Sequence, residues 1–365
     1  MAKTLTKLKH YYDYYERRIS VASLVAGFIF DSLTLQRVDN LLDNLWITGN
    51  LLLSALVIVF LNRRKEGNEG FWLPNILQFS FGALLGSIFV FYLRSTALMV
   101  TWPFLALVLF ALIANEFFQK RYTRLALRLS FLYFALFSFS IFLMPIATGS
   151  LGAWVFLLSG AVSLLVIWLF LKLVRRFARE QFLEQRTHVW SFIGVIFFVV
   201  NLLYFTNLIP PIPLSLKDGG IYHAIEIDSR GRYLATGEKR GVERYFTLFP
   251  EVYWQPGQPL YAYSAIYSPG SIETNIVHDW QYKNEAGEWI TATRIPLHLE
   301  GGRVEGFRTF SEKFTFSPGL WRVDVKTNRG QVIGRLNFEV IPTGPQPPIA
   351  TEVKGCNYVG NDSLD

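Results

Sequence analysis

Asp31, Arg37, Asp39 and Arg94 are the residues in the apolar half of this 365-residue chain whose types and spacing could do chemistry. Asp31, Asp39 and Asp43 are eight and four positions apart, so on one continued helix they share a broad face, with Arg37 close by. Arg94 closes a later apolar run that is expected to end on the same side. Ionisable groups at membrane depth are costly, and an acidic stripe facing an arginine can hold a lipid phosphate or carry a proton. The simpler alternative is a structural ion pair at headgroup level, since only Asp31 falls below the expected interface.

Apolar runs must position these residues. The last of them, Val189 to Leu208, holds no charge and leads into Pro210, Pro211 and Pro213. About 20 apolar residues at ~1.5 Å each cross a hydrocarbon layer of ~30 Å. Six such spans are expected near Trp46–Leu61, Trp72–Leu93, Ala97–Ala114, Leu129–Ala147, Ala153–Leu171 and Val189–Leu208. A seventh, from Ile19 to Leu35, carries Asp31 inside it. Residues 1–18, with basic residues and four tyrosines, read as an interfacial cytoplasmic segment ahead of a membrane domain over 19–209.

The charge distribution sets a topology. Lys and Arg exceed Asp and Glu by 19 to 10 up to Phe205, whereas from Thr206 the counts are 16 and 18. The basic pI of about 9.3 therefore belongs to the membrane half and argues against a nucleic-acid-binding face. The tail and alternate loops hold 17 Lys and Arg, against Arg37 and Arg94 on the opposite side. Basic loops stay cytoplasmic, so seven crossings place the N-terminus inside and the chain after residue 210 outside.

Beyond Ile221 the period changes to two. Ile276, His278, Trp280 and Tyr282 alternate with polar neighbours; so do Trp321, Val323 and Val325, and Leu336, Phe338 and Val340. Turns at Ser229–Gly231, Asn284–Gly287 and Asn328–Gly330 separate strand pairs. The pattern predicts an immunoglobulin-like antiparallel β-sandwich over 250–342, after a Pro-rich linker and lead-in hairpin at 210–249 and before a flexible tail at 343–365. The fold class is thus α + β in separate domains: a polytopic helical bundle followed by an extracytoplasmic sandwich.

Several sandwich residues invite a binding role. Tyr261, Tyr263 and Tyr267 form a one-sided stripe able to stack on sugar rings or a partner, or else to face a core. Gly301, Gly302 and Arg303 can cradle an anion or simply make a tight turn, and Arg308 follows them. His278 lies in the inward phase and reads as a hydrogen-bonded core histidine; a metal site would need His223 or His298 to converge on it. Cys356 is the single cysteine, which excludes an internal disulfide and a thiolate metal cluster.

The run His278, Trp280, Gly287, Trp289, Gly301, Gly302, Arg303, Gly306, Arg308, Ser311, Lys313, Gly319, Trp321, Arg322, Val323, Gly330, Gly334, Arg335 and Phe338 resembles the bacterial domain of unknown function 2914 family, over about Ser264 to Ile341. The segments FIFDSLTLQR, FYLRS and NEFFQKRY resemble the membrane region that accompanies it. The resemblance implies a Gram-negative inner-membrane protein with a periplasmic domain, and implies no activity. No nucleophile elbow, phosphate loop, zinc-protease motif or catalytic carboxylate pair is present, and neither metal nor cofactor is expected. The expected role is presentation of a periplasmic sandwich to a protein partner or envelope polymer, with the lipid bilayer as the other partner. The alternative is a transporter or lipid-handling protein working through Asp31, Arg37, Asp39 and Arg94.

Overall fold

The computed structural model describes residues 29, 35, 40–63, 72–94, 98–117, 125–211, 213–229, 231–238, 247–269, 272, 274–299, 306–342 and 349–354. Contacts divide the chain at Ile209 and Pro210 into a helical unit and a β unit.

Six long helices are described: α1 (Leu41–Arg63), α2 (Trp72–Arg94), α3 (Leu98–Phe117), α4 (Leu125–Thr148), α5 (Ala153–Phe177) and α6 (Arg179–Phe205). Five are long and apolar enough to cross a membrane; α3 is apolar over a shorter described run, Thr101–Asn115. The expected first span, Ile19–Leu35, lies outside the described residues apart from Ile29 and Leu35. Seven crossings are therefore not seen as seven helices here.

The helices carry large apolar side chains on the outside of the unit as well as in its interior. Leu41, Leu52, Leu56, Leu165, Leu169, Val195 and Phe198 are exposed, while Asn50, Ser54, Ser80, Ser159 and Ser163 are buried. Small polar residues let helices approach closely and bond where water is absent. Ser54 Oγ donates to Ser80 Oγ at 2.8 Å, and Ser80 Oγ donates to the Asn50 carbonyl at 2.8 Å, which ties α1 to α2. At one end of the unit, fully buried Arg128 donates to Asn62 Oδ1 at 3.4 Å, and Gln185 Oε1 accepts the Ala126 amide of the first turn of α4. Asn115, near the end of α3, is buried and donates to the Gln78 carbonyl of α2 at 3.3 Å.

The β unit contains eleven described strands: β1 (Ser215–Tyr222), β2 (Ala224–Ile227), β3 (Tyr233–Glu238), β4 (Glu251–Trp254), β5 (Leu260–Tyr267), β6 (Thr274–Lys283), β7 (Trp289–Leu299), β8 (Phe307–Lys313), β9 (Gly319–Thr327), β10 (Val332–Pro342) and β11 (Ile349–Lys354). They form sheets in the orders β4-β10-β9-β6-β7, β1-β5-β8 and β11-β3-β2. All pairings are antiparallel except β4 with β10.

The period-two pattern explains the core. Trp280, Trp321, Val323, Phe338 and Val340 point inward from the five-stranded sheet and meet Ile221, Leu260 and Ala262 of the three-stranded sheet. Phe316 fills the centre, with ring centroids 5.7 Å from Trp280 and 5.0 Å from Trp321. The edge strand β7 carries Pro296, and its pairing with β6 shifts register after Trp280, leaving Ala292 as the extra residue. Both features discourage addition of a further strand.

Two boundaries differ from the sequence expectation. Strand β1 pairs with β5 over its whole length, so the residues read as a lead-in begin the principal β structure. Within the segment read as a flexible tail, Ile349–Lys354 forms β11, which pairs with β3 from Ile349↔Glu238 to Lys354↔Tyr233. Its alternation of exposed and half-buried residues was too weakly apolar to be read as a strand in isolation.

Gly306 precedes β8 with φ of +93°, and a Cβ there would lie 3.0 Å from the Ala265 and Ile266 backbone. Backbone cannot yield as a side-chain tip does, and the left-handed conformation adds its own strain. Gly306→Ala is expected to destabilise the β unit by about 1–3 kcal/mol, read as a lower melting temperature of the detergent-solubilised full chain.

Candidate binding face of the five-stranded sheet

Strand alternation that points His278 and Trp280 into the core must point Asp279 outward, and the same rule sends Arg322, Asp324 and Lys326 of β9 and Arg335 of β10 to that outer face. The pairings place Arg335 opposite Asp324, Asp324 opposite Asp279, and Asp279 opposite Arg294. One line of charge thus crosses four strands.

Its centre is a pair of like charges. Asp279 and Asp324 are each 1% exposed, and carboxylates set directly opposite one another repel unless cations separate them. Lys326 Nζ does so, at 2.6 Å from Asp279 Oδ2 and 3.3 Å from Asp324 Oδ2. Arg335 donates to Asp324 through Nε at 2.5 Å and Nη2 at 3.0 Å, a fork matched to the carboxylate. Gln281 Nε2 donates to Asp279 Oδ2 at 2.6 Å, and its Oε1 accepts from Arg322 Nε at 2.7 Å. Burial acts to raise the Asp279 pKa, but the Lys326 ammonium and the Gln281 amide outweigh it and hold the carboxyl below the usual range.

Arg322 is the crowded member. Its guanidinium lies 4.3 Å from the Trp289 ring centroid, Phe249 stacks with Trp289 at 6.3 Å between centroids, and its Nε is 3.9 Å from the Asp324 Oδ1 that Arg335 also holds. Burial lowers its pKa; Asp324 opposes this and the Arg335 charge adds to it.

Beneath this face, a polar link crosses the core. His278 is fully buried, with Nε2 2.9 Å from Ser264 Oγ of β5 and Nδ1 2.8 Å from Ser311 Oγ of β8; Trp280 Nε1 donates to Ser311 Oγ at 3.0 Å. A neutral imidazole has one donor and one acceptor, and each serine hydroxyl can supply the complement. Burial pushes its pKa down to about 4. His223 instead meets Glu238 at 2.8 Å, and His298 meets Asn275 at 3.0 Å, so the three histidines do not converge.

Beside Arg335 a cleft of about 510 Å³ opens between β1, β3, β10 and β11, with Lys217, Tyr222, Glu238, Glu352 and Lys354 on its walls. Lys354 bridges Asp218 at 3.1 Å and Glu352 at 3.0 Å. Burial alone would lower its pKa, yet Tyr222 and the two carboxylates raise it.

Of the residues singled out from sequence, Tyr263 and Tyr267 are buried. Tyr263 packs with Tyr222 and Tyr233 beneath the β11-β3-β2 sheet, Tyr267 lies under Lys217, and Tyr261, half-buried, packs on Phe310. The opposite side of β5, with Ala262, Ser264 and Ile266, is buried as well, so two of the three tyrosines serve packing. Arg308 stands on β8, half-buried, its carbonyl accepting from Tyr233 OH at 3.3 Å. Gly301, Gly302 and Arg303, and the membrane group Asp31, Arg37 and Asp39, lie outside the described residues; Arg94 ends α2. Asp279, Asp324 and Lys326 were legible only as polar alternation, because nothing local shows which strands are neighbours.

A helical region of apolar helices followed by a β-sheet domain is the class these features define. Within it, residues 273–340 match the family described as Protein of unknown function (DUF2914), and the Asp279–Asp324 network lies in that stretch. No curated protein matches the chain. Among solved structures, a β-glucosidase from Listeria innocua in complex with isofagomine is 15% identical over 31% of this chain and 16% of its own, with a TM-score of 0.19. This chain therefore spans about a sixth of that enzyme's length. The Pseudomonas fluorescens alkylpurine DNA glycosylase AlkC bound to DNA containing an abasic site analog is 12% identical over 82% of this chain and 99% of that one, with a TM-score of 0.22. Scores of this size support no inference about fold or activity.

The buried imidazole makes stability depend on pH. Its folded pKa lies below the ordinary 6.5, so the unfolded chain binds the proton first, and stability present above about pH 6.5 is lost as pH falls toward 4. The shift corresponds to a loss on the order of 3 kcal/mol. Thermal melts of the full chain between pH 7 and pH 4.5 are expected to fall steeply, and His278→Gln to flatten that slope while lowering the plateau.

Proposed function

We propose that this protein is an integral bacterial inner-membrane protein that crosses the bilayer seven times and presents a periplasmic, immunoglobulin-like β-sandwich as a binding module for a protein partner or cell-envelope component. The outward-facing charge network of the five-stranded sheet carries the binding reading: two buried carboxylates hold Lys326 and Arg335 at close range on the outer side of the sheet, with Arg322 and the exposed Arg294 at longer range beside them. Ordered side chains lose little entropy when they engage a ligand, which is what a recognition surface requires.

The membrane assignment is supported by apolar side chains exposed along α1, α5 and α6 and by polar groups bonded inside the bundle. The orientation follows from 17 basic residues on one set of loops and tail against two on the other. The sandwich assignment is supported by two sheets enclosing one core and by fully buried Trp280 on the strand after β5. Nine residues separate Phe205 from Ser215. An extended chain of that length reaches ~30 Å, which confines the module's targets to the neighbourhood of the membrane.

An alkaline phosphatase fused after Ile341 is expected to be active in intact cells and a fluorescent protein fused there to be dark. The reverse pair of signals would place the β unit in the cytosol and end the periplasmic reading.

A further inference from the structure

The charge network has a surplus. Among the described residues, Arg294, Arg322, Lys326 and Arg335 form ion pairs only with Asp279 and Asp324, so within this group of six side chains the cations outnumber the carboxylates by two. The hydrogen-bond donors are in surplus as well. Among the described residues, Arg294 makes a single 3.4 Å contact through Nε, and Arg322 donates a hydrogen bond only through Nε, to Gln281. Arg335 spends Nε and Nη2 on Asp324. Toward the described residues, both terminal nitrogens of Arg294 and Arg322 and Nη1 of Arg335 donate no hydrogen bond.

These groups are close together. Arg322 Nε and Arg335 Nε lie 3.9 and 2.5 Å from the same oxygen, Asp324 Oδ1, and the Arg322 guanidinium lies over the Trp289 ring. Cations crowded around one anion are relieved by a second anion, and the planar guanidinium fork fits tetrahedral oxyanions with two bonds at once.

We propose that this face binds a dianionic oxyanion group of the phosphomonoester class, seated against Arg322 and Arg335 with Arg294 closing from β7. A phosphomonoester carries about −1.5 to −2 charge at pH 7 and three acceptor oxygens, which matches both the excess charge and the idle donors, whereas a single carboxylate matches half of the charge. The buried aspartates are positioning residues: they hold the guanidiniums and do not touch the ligand. The same chemistry occurs on a lipid headgroup and on a free or sugar-borne phosphate. This proposal deepens the binding-module reading and rests on it.

The test is calorimetric titration of inorganic phosphate into the full chain in phosphatidylcholine nanodiscs, with chloride at matched ionic strength as reference. A second arm uses nanodiscs containing phosphatidic acid, and a third titrates poly-glutamate. Saturable phosphate binding is expected, weakened about tenfold or more in Arg322→Gln and about threefold in Arg294→Gln, whose exposed side chain can be changed without loosening the fold. Loss of the phosphate signal in the phosphatidic acid discs alone would assign the site to a headgroup; its persistence there would assign it to a soluble phosphate. Phosphate heats equal to chloride, wild-type titrations in both variants, or poly-glutamate binding that phosphate does not displace would overturn the proposal. The topology fusions stay informative in every case, because they do not depend on ligand chemistry.

Discussion

The β unit depends on one polar link through an apolar core: His278 of β6 reaches Ser264 of β5 and Ser311 of β8, and so bonds one sheet to the other. Apolar contacts tolerate sliding, but a buried imidazole with two fixed partners does not, because losing either leaves an unsatisfied group in a dry interior. The link pins the phase of β6. Since successive side chains alternate, pinning His278 inward places Asp279 outward, opposite Asp324. A slip by one residue would turn the carboxylate away from its cations into the apolar core and turn the imidazole and Trp280 to the outer side together.

The outer network follows from that constraint. Two carboxylates forced together across neighbouring strands would repel, and their compensation by Lys326 and Arg335 makes the face a fixed array instead of a set of mobile surface charges. Isolated surface ion pairs contribute little to stability. Here the pairs have a different consequence, which is orientation: cations held by buried anions cannot turn away from an approaching ligand. Arg335 is held by two bonds to Asp324, and Arg322 by Gln281 and the Trp289 ring.

The helical unit exposes large apolar side chains such as Leu52, Leu169 and Phe198, while Phe81, Phe104 and Phe137 fill its interior together with serines, asparagines and Arg128; apolar side chains on the outside are unfavourable in water and favourable where the surroundings are hydrocarbon. The boundary between the two units falls where the last apolar helix gives way to Pro210, Pro211 and Pro213.

Local periodicity made much of this legible from the sequence. Runs of about 20 apolar residues, the change to period two after Ile221, and turn residues at Ser229–Gly231, Asn284–Gly287 and Asn328–Gly330 are properties of neighbouring residues, and so are the inward positions of His278, Trp280, Trp321 and Phe338. Which strands lie side by side is a long-range matter. Only the tertiary structure could oppose Asp279 to Asp324 across 45 positions of chain, bring β11 back to β3, and cover the tyrosines of β5 on the side that the sequence left open. The physical reason is that a side chain's phase along a strand is set by its own backbone, whereas its partner is set by the burial of the whole unit.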